Sequence, residues 1–354
     1  LKKTLPEISA MNALLCLLVI FIHVSASPVT ALHKGGAAYA VVFTPWRLSA
    51  FVVQGFIFLS GMKYFIGGAK LDYRKFYVTR LTRVVLPYVL WNLVYYAFFI
   101  YSGIYTFSAA DLLKFILSGT LVGHFYFIIV IVQFYVLMPL WKKLVDTVRP
   151  ARLLIPAAVL SLALGEYLPR IIGWIIPGQV FSYNDRVLTT YLIYWLAGCC
   201  AGKYYDAVLG MVKRGRRYIL TGFILLAAAE AVSSYVVFTG IQKLGWLNIL
   251  HYLYCMGAVL SLFTLLTWLY ENRPSPGRLI REIDAASYTV YLSHCLVIFI
   301  VNALMYRAGI TRIGVTYALR ILIVYSVTLT LCFAWTHVGK RLKIALLPAR
   351  GTAV

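Results

Sequence analysis

MNALLCLLVIFIHVSA, residues 11–26, is an almost unbroken apolar run with one histidine, His23, toward its far end. As a helix rising about 1.5 Å per residue, some 20 residues cover a hydrocarbon core of about 30 Å, so with Ile8 and Ser9 included the segment is long enough to cross a bilayer. His23 then lies within the membrane, where an ionisable side chain costs on the order of 3 kcal/mol unless it faces a protein-lined cavity or is paired. Asn12 precedes it by eleven residues, which returns nearly to the same helix face about 16 Å away. One stripe of this helix is therefore polar. A packing histidine bonded to a neighbouring helix is the plainer alternative.

The rest of the chain fits that setting. Of its 354 residues 62% are hydrophobic and 12% charged, and the mean hydropathy is +0.84. A soluble domain carries about 25% charged residues, so the fold class is an all-α polytopic membrane protein. The formal charge of +22 would in a soluble chain suggest nucleic acid, but here the basic residues are read through topology, and no nucleic-acid partner is expected.

Apolar runs place spans at about residues 8–26, 46–66, 83–101, 123–141, 152–168, 188–204, 218–238, 246–270, 287–306 and 314–336, giving about ten transmembrane helices in one domain, 1–354. Of the 33 Lys and Arg, 24 fall on the side that carries Lys2 and Lys3. That side also holds Lys63, Lys70, Arg74, Lys75, Arg80, Arg83 and Arg350. The positive-inside rule then makes both termini cytoplasmic and puts His23 in the outer half. A cleaved signal peptide is a competing reading of the start, since Lys2 and Lys3 precede an apolar core and Ser25, Ala26 and Ser27 are small.

The six cysteines, Cys16, Cys199, Cys200, Cys255, Cys295 and Cys332, all fall in expected spans and read as small apolar residues. None has metal-ligand spacing along the chain, and no metal is expected. Turn signals stand at Gly67–Gly68 and at 274–277, and SAADLLKFILS, residues 108–118, is too short to span and suits an amphipathic surface helix.

A second informative stretch is the entrance to the third span. Arg80 and Arg83 are three residues apart, so on an α-helix they share a face and form one cationic fork. Paired guanidinium groups suit phosphate or carboxylate. Ordinary positive-inside anchoring is the alternative, although both lie deeper than Arg74 and Lys75, which already anchor the loop.

At this point the chain resembles a known family, the bacterial acyltransferase-3 integral membrane O-acyltransferases. VIFIH with His23 is similar to the family's first-span string, and Arg80-Leu81-Thr82-Arg83 with Pro87 and Trp91 matches its Arg-x-x-Arg pair. Gly55-Phe56-Ile57-Phe58-Leu59-Ser60-Gly61 resembles its second-span string, as Gly123 to Phe127 with Tyr135 and Pro139 resembles its fourth-span region. Ser287-Tyr288-Thr289-Val290-Tyr291-Leu292-Ser293-His294 is close to its SYxxYLxH string. One departure stands out: where the family places arginine in the first span, this chain has Asn12, which keeps the stripe polar and loses its charge. The resemblance implies ten spans in a bacterial plasma membrane. It also implies an acyl-CoA donor, acetyl-CoA foremost, bound through Arg80, Arg83 and the Asn12 position, and a glycan or lipid-linked saccharide acceptor.

The chemistry can be stated apart from the family. Acyl transfer to a sugar hydroxyl needs a base, and His23 is the candidate, as general base or as an acyl-imidazole carrier. It also needs an oxyanion stabiliser, for which Arg47, His124, His251 and Arg320 are candidates. Arg320 lies about two turns into the last span, where snorkelling to the interface is the alternative. Glu230, near mid-depth of the seventh span, is the expected carboxylate that orients His23. A glycan or lipid-linked-sugar transporter is the reading from another class, although its usual sign, two related halves, is not visible.

Overall fold

The computed structural model describes residues 5–68, 71–176, 181–273 and 275–345, with side chains described as far as residue 339. Lys2, Lys3, Lys70 and Arg350, four of the basic residues counted for topology, and Pro274 lie outside the described residues. The described chain is helical throughout, without a strand. Its helices are α1 (Pro6–Ala31), α2 (Ala37–Leu48), α3 (Val52–Phe65), α4 (Tyr73–Arg80), α5 (Leu86–Tyr101), α6 (Ala109–Ser118), α7 (Tyr126–Val136), α8 (Met138–Thr147), α9 (Pro150–Ile175), α10 (Leu192–Lys203), α11 (Tyr205–Phe238), α12 (Leu247–Leu269), α13 (Arg278–Arg307) and α14 (Ile313–Ala345).

Eight of the described segments are long and apolar enough to cross a membrane, and a ninth does so if α7 and α8 are taken as one bent span. This agrees with the expected polytopic fold of about ten spans. The difference falls on the sixth expected span, 188–204, which folds as a 3₁₀ turn, Leu188–Tyr191, followed by the 12-residue α10. Twelve residues rise only about 18 Å. The α7–α8 pair bends by 60°, and Pro139 explains the break. Its ring would clash with the carbonyl four residues back and it offers no N–H, so the helix stops at Leu137 and restarts with Pro139 in the first turn of α8. Two carbonyls freed at the end of α7 find side-chain donors: Trp141 Nε1 donates to Phe134 O at 2.9 Å and the Tyr77 hydroxyl to Val136 O at 3.0 Å.

The surface helix expected at 108–118 forms as α6. The Ser108 hydroxyl caps its start by accepting from the Asp111 N–H at 3.2 Å, and Gly119, at φ 65°, ends it. Gly67 and Gly68 turn with φ of 83° and 61°, which only glycine adopts without strain.

The chain folds into two compact units, Leu1–Val42 with Asn272–Val354, and Phe43–Glu271. In the first, α1 packs on α13 and α14, which also pack on each other. Met11, Leu15, Ile20 and Val24 of α1 are fully buried there. In the second, α3 and α10 form the closest helix pair. Three glycines allow it: a Cβ on Gly61 would stand 2.6 Å from the Trp195 carbonyl, and one on Gly198 or Gly202 would run into the carbonyl of Phe58 or Met62. Small residues four apart are the usual means by which membrane helices approach backbone to backbone. Trp195, fully buried, stacks on Phe134 beside this crossing.

Candidate active site

In the first unit, His23 on α1 meets His294 on α13. The ring centroids are 5.1 Å apart and the planes tilted by 51°. His23 is partly exposed and His294 completely buried. His294 Nδ1 lies 3.0 Å from the Val290 carbonyl, one turn back on its own helix. That oxygen can only accept, so Nδ1 carries the proton and Nε2 keeps its lone pair. Cys295 Sγ lies 3.4 Å from Nε2. His23, His294 and Cys295 each place one ligating atom within 4.8 Å of the others'. An N,N,S set of this kind can hold a metal ion, which spacing along the chain did not reveal.

Arg320 of α14 belongs to the same neighbourhood. It is 7% exposed, its Nε donates to Asn302 Oδ1 at 2.8 Å, and its Nη1 lies 3.5 Å from the carbonyl of Val24, the residue after His23. It is turned into its unit rather than snorkelling outward. Ser25 and Tyr317, one turn before Arg320, are joined through their hydroxyls at 3.0 Å.

Farther along α1, Asn12 donates to Asp284 Oδ1 at 2.6 Å and to Ser287 Oγ at 2.9 Å. The Ser9 hydroxyl donates to the other Asp284 oxygen. The polar stripe of α1 is thus answered at both ends by α13, by Asp284 and Ser287 near Asn12 and by His294 near His23. Asn12, uncharged itself, thus meets a carboxylate and a hydroxyl of α13 through its amide.

In the second unit, Arg80 and Arg83 do not share a continuous α-helix. Five residues, Leu81–Val85, make a π-helical turn that carries the chain into Pro87, with Leu86 N donating to Leu81 O. The wider turn takes Arg83 out of line with Arg80. Arg83 is exposed and Arg80 partly buried. The Arg80 guanidinium carbon sits 5.2 Å from the ring centre of Tyr64 and 5.6 Å from those of Phe76 and Tyr135. Three aromatic faces hold one cation, and its Nε is buried without a hydrogen-bond partner among the described residues.

Glu230 was expected to orient His23, and the imidazole it holds is that of His251. Glu230 is completely buried on α11, and its Oε1 accepts from Arg47 Nε at 2.8 Å, from the Ser234 hydroxyl at 3.0 Å and from His251 Nδ1 at 2.8 Å. Two of the four oxyanion candidates, Arg47 and His251, are therefore partners of one carboxylate. A third, His124, is buried against the rings of Tyr95 and Phe125.

Cys295, Asp284 and Tyr64 are the site residues to which sequence reasoning gave no role, while His294 and Tyr135 stood only within family-like strings. An intramembrane histidine is a signal in itself, and His294 stood at the end of a string already noted. The aromatic partners of Arg80 carry no such mark.

Fold and site together define a multi-pass membrane protein with ionisable groups paired inside its helical units. A family model described as an acyltransferase domain matches residues 5–337, and the chain belongs to that family, acyltransferase-3. It is a membrane acyltransferase. No curated protein and no solved structure matches the chain.

Proposed function

We propose that this acyltransferase moves an acyl group, acetyl foremost, from acyl-CoA to a hydroxyl of an extracytoplasmic or lipid-linked glycan in a bacterial plasma membrane. The observation that carries the reading is the His23–His294 pair, with ring centroids 5.1 Å apart and Arg320 fixed to the backbone one residue beyond His23.

In the reaction, His23 takes the proton of the acceptor hydroxyl as that oxygen attacks the thioester carbonyl. Arg320 faces the negative charge that develops on the carbonyl oxygen. The C–S bond then breaks, and the CoA sulfur leaves with the proton held by His23. His294, with its own proton committed to the Val290 carbonyl, presents a lone pair beside His23 and holds that ring in place. The donor's phosphates are bound by Arg80, preorganised by its three aromatic neighbours, with exposed Arg83 as a second contact. Asn12 serves through position, tying α1 to α13 at Asp284, and no metal is needed for any step.

The test is transfer by purified protein in lipid nanodiscs, with radiolabelled acetyl-CoA and a panel of glycans. Wild type should label an acceptor and release free CoA, and His23→Ala should lose both at equal membrane abundance. Near-normal transfer by His23→Ala would refute the assignment of His23, and binding of glycan without acyl transfer would favour a transporter.

A further inference from the structure

The second unit holds a nucleophilic arrangement that this reaction does not use. On α12, Cys255 lies one turn after His251, and its Sγ is 3.6 Å from His251 Nε2. The other ring nitrogen, Nδ1, is 2.8 Å from Glu230 Oε1. Glu230 is fixed in turn by Arg47 Nε and the Ser234 hydroxyl. With Nδ1 donating to the carboxylate, Nε2 is left as the acceptor facing the thiol. This is a nucleophile, a base and a group that orients the base, in hydrogen-bonding order.

The arrangement also has room beside it. Cys255 and His251 line a cavity of about 740 Å³ within this unit, together with Glu166, Tyr194, Asn248 and Tyr252. That volume falls in the range of about 300–1,000 Å³ typical of small-molecule sites. His251, whose side chain is 24% exposed, reaches the cavity, and Cys255, itself 1% exposed, is one of the residues of its wall. The two tyrosines, the amide and the carboxylate among the lining residues offer polar and aromatic contacts to a ligand larger than a bare acyl group.

We propose that Cys255, His251 and Glu230 form a second acyl-accepting centre, in which Cys255 is acylated by a small activated acyl ester or thioester entering this cavity. The Cys255 thiol gives its proton to His251 Nε2 as the sulfur attacks the acyl carbonyl. A new C–S bond forms, the bond to the leaving oxygen or sulfur breaks, and the leaving group takes the proton from His251. The product is an S-acyl thioester on Cys255, and the carboxylate of Glu230 holds the transient imidazolium. The centre is independent of the assignment of His23.

The experiment uses full-length protein carrying His23→Ala, so that turnover at His23 cannot supply the label. It is incubated in two arms, with acetyl-CoA as thioester and with p-nitrophenyl acetate as oxyester, and then digested for mass spectrometry. The expected result is one acetyl group on the peptide containing Cys255 in at least one arm, removed by neutral hydroxylamine as a thioester is. The arm that labels names the source. His251→Asn should slow labelling by roughly a hundredfold, and Cys255→Ala should abolish it. Should Cys255→Ala fail to fold, the labelled peptide and the His251→Asn rate still decide. No acetyl on Cys255 in either arm from monodisperse protein, or labelling at an unchanged rate in His251→Asn, would overturn the proposal.

Discussion

Gly61→Ala adds one methyl group where α3 crosses α10, and the structure sets its consequence. The new Cβ would stand 2.6 Å from the Trp195 carbonyl oxygen, 3.1 Å from the Cys199 nitrogen and 3.2 Å from Cys199 Sγ. Two of these atoms are backbone of a buried helix and cannot rotate away. To reach an ordinary contact of about 3.4 Å the helices must part by about 0.8 Å, and a gap of that size forfeits a quarter to a half of the dispersion well for each atom pair along the seam. Overpacking of this kind costs about 1–3 kcal/mol. Gly222 of α11 provides the reference, because a Cβ there meets nothing within 4 Å, and Gly222→Ala should stabilise by about 0.5–1 kcal/mol through helix propensity alone. Thermal unfolding of both variants in one detergent should therefore move the Tm in opposite directions. The displacement has a functional reading too. Tyr64, which backs Arg80 at 5.2 Å, lies one turn beyond Gly61 on α3, so the KM for acyl-CoA should rise in Gly61→Ala and stay unchanged in Gly222→Ala. A Gly61→Ala protein that melts at or above the wild-type temperature, with Gly222→Ala stabilised as expected, would refute the close-packing argument.

The remaining expectations concern the paired groups. Arg80→Lys, which keeps the charge but loses the flat guanidinium, should weaken donor binding by roughly tenfold, and Arg83→Lys by less; isothermal titration with CoA measures both, and equal effects would restore the single fork. His294→Ala should insert normally yet lower transfer by roughly a hundredfold, as measured by acetyl transfer at matched abundance, because His23 loses its neighbour. Asn12→Arg should form an ion pair with Asp284 and raise thermal stability, whereas Asn12→Leu should lower it by about 1–3 kcal/mol by leaving a half-buried carboxylate short of a donor. Treatment with a strong chelator should leave acyl transfer unchanged, and metal analysis of the protein as purified checks the same point; loss of activity restored by zinc would make His23, His294 and Cys295 ligands instead.

Much of this was legible in the chain. The apolar run around His23 and the stripe that joins it to Asn12 follow from hydropathy and helical period, and α1 bears out both. The break between Leu188–Tyr191 and α10 was not legible, because composition does not distinguish residues that pack on a neighbouring helix from residues that face lipid: Ile193 to Leu196 and Gly198 to Gly202 are apolar or small for packing against α3. The continuous α-helix expected through Arg80 and Arg83 is interrupted for a local reason, since Pro87 follows a π-helical turn that no α-helical spacing anticipates. Partner choice was the least legible. Glu230 could be seen to need a partner at its depth, but which donors would face it depends on contacts 183 and 21 residues distant in sequence, with Arg47 and His251.

The unit that contains His23 is assembled from the two ends of the chain, and this sets an order on its biogenesis. α1 enters the membrane before its partners α13 and α14, which begin at Arg278 and Ile313. At a synthesis rate of about 5–20 residues per second, the polar stripe of α1 waits roughly 14–54 s before Asp284 and His294 exist to meet it. For that interval Asn12 and His23 depend on water, lipid headgroups or the insertion machinery for hydrogen bonds. A chain cut short before α13 would never relieve them, so nascent truncations of this protein should be handed to quality-control proteolysis even though most of their helices are complete.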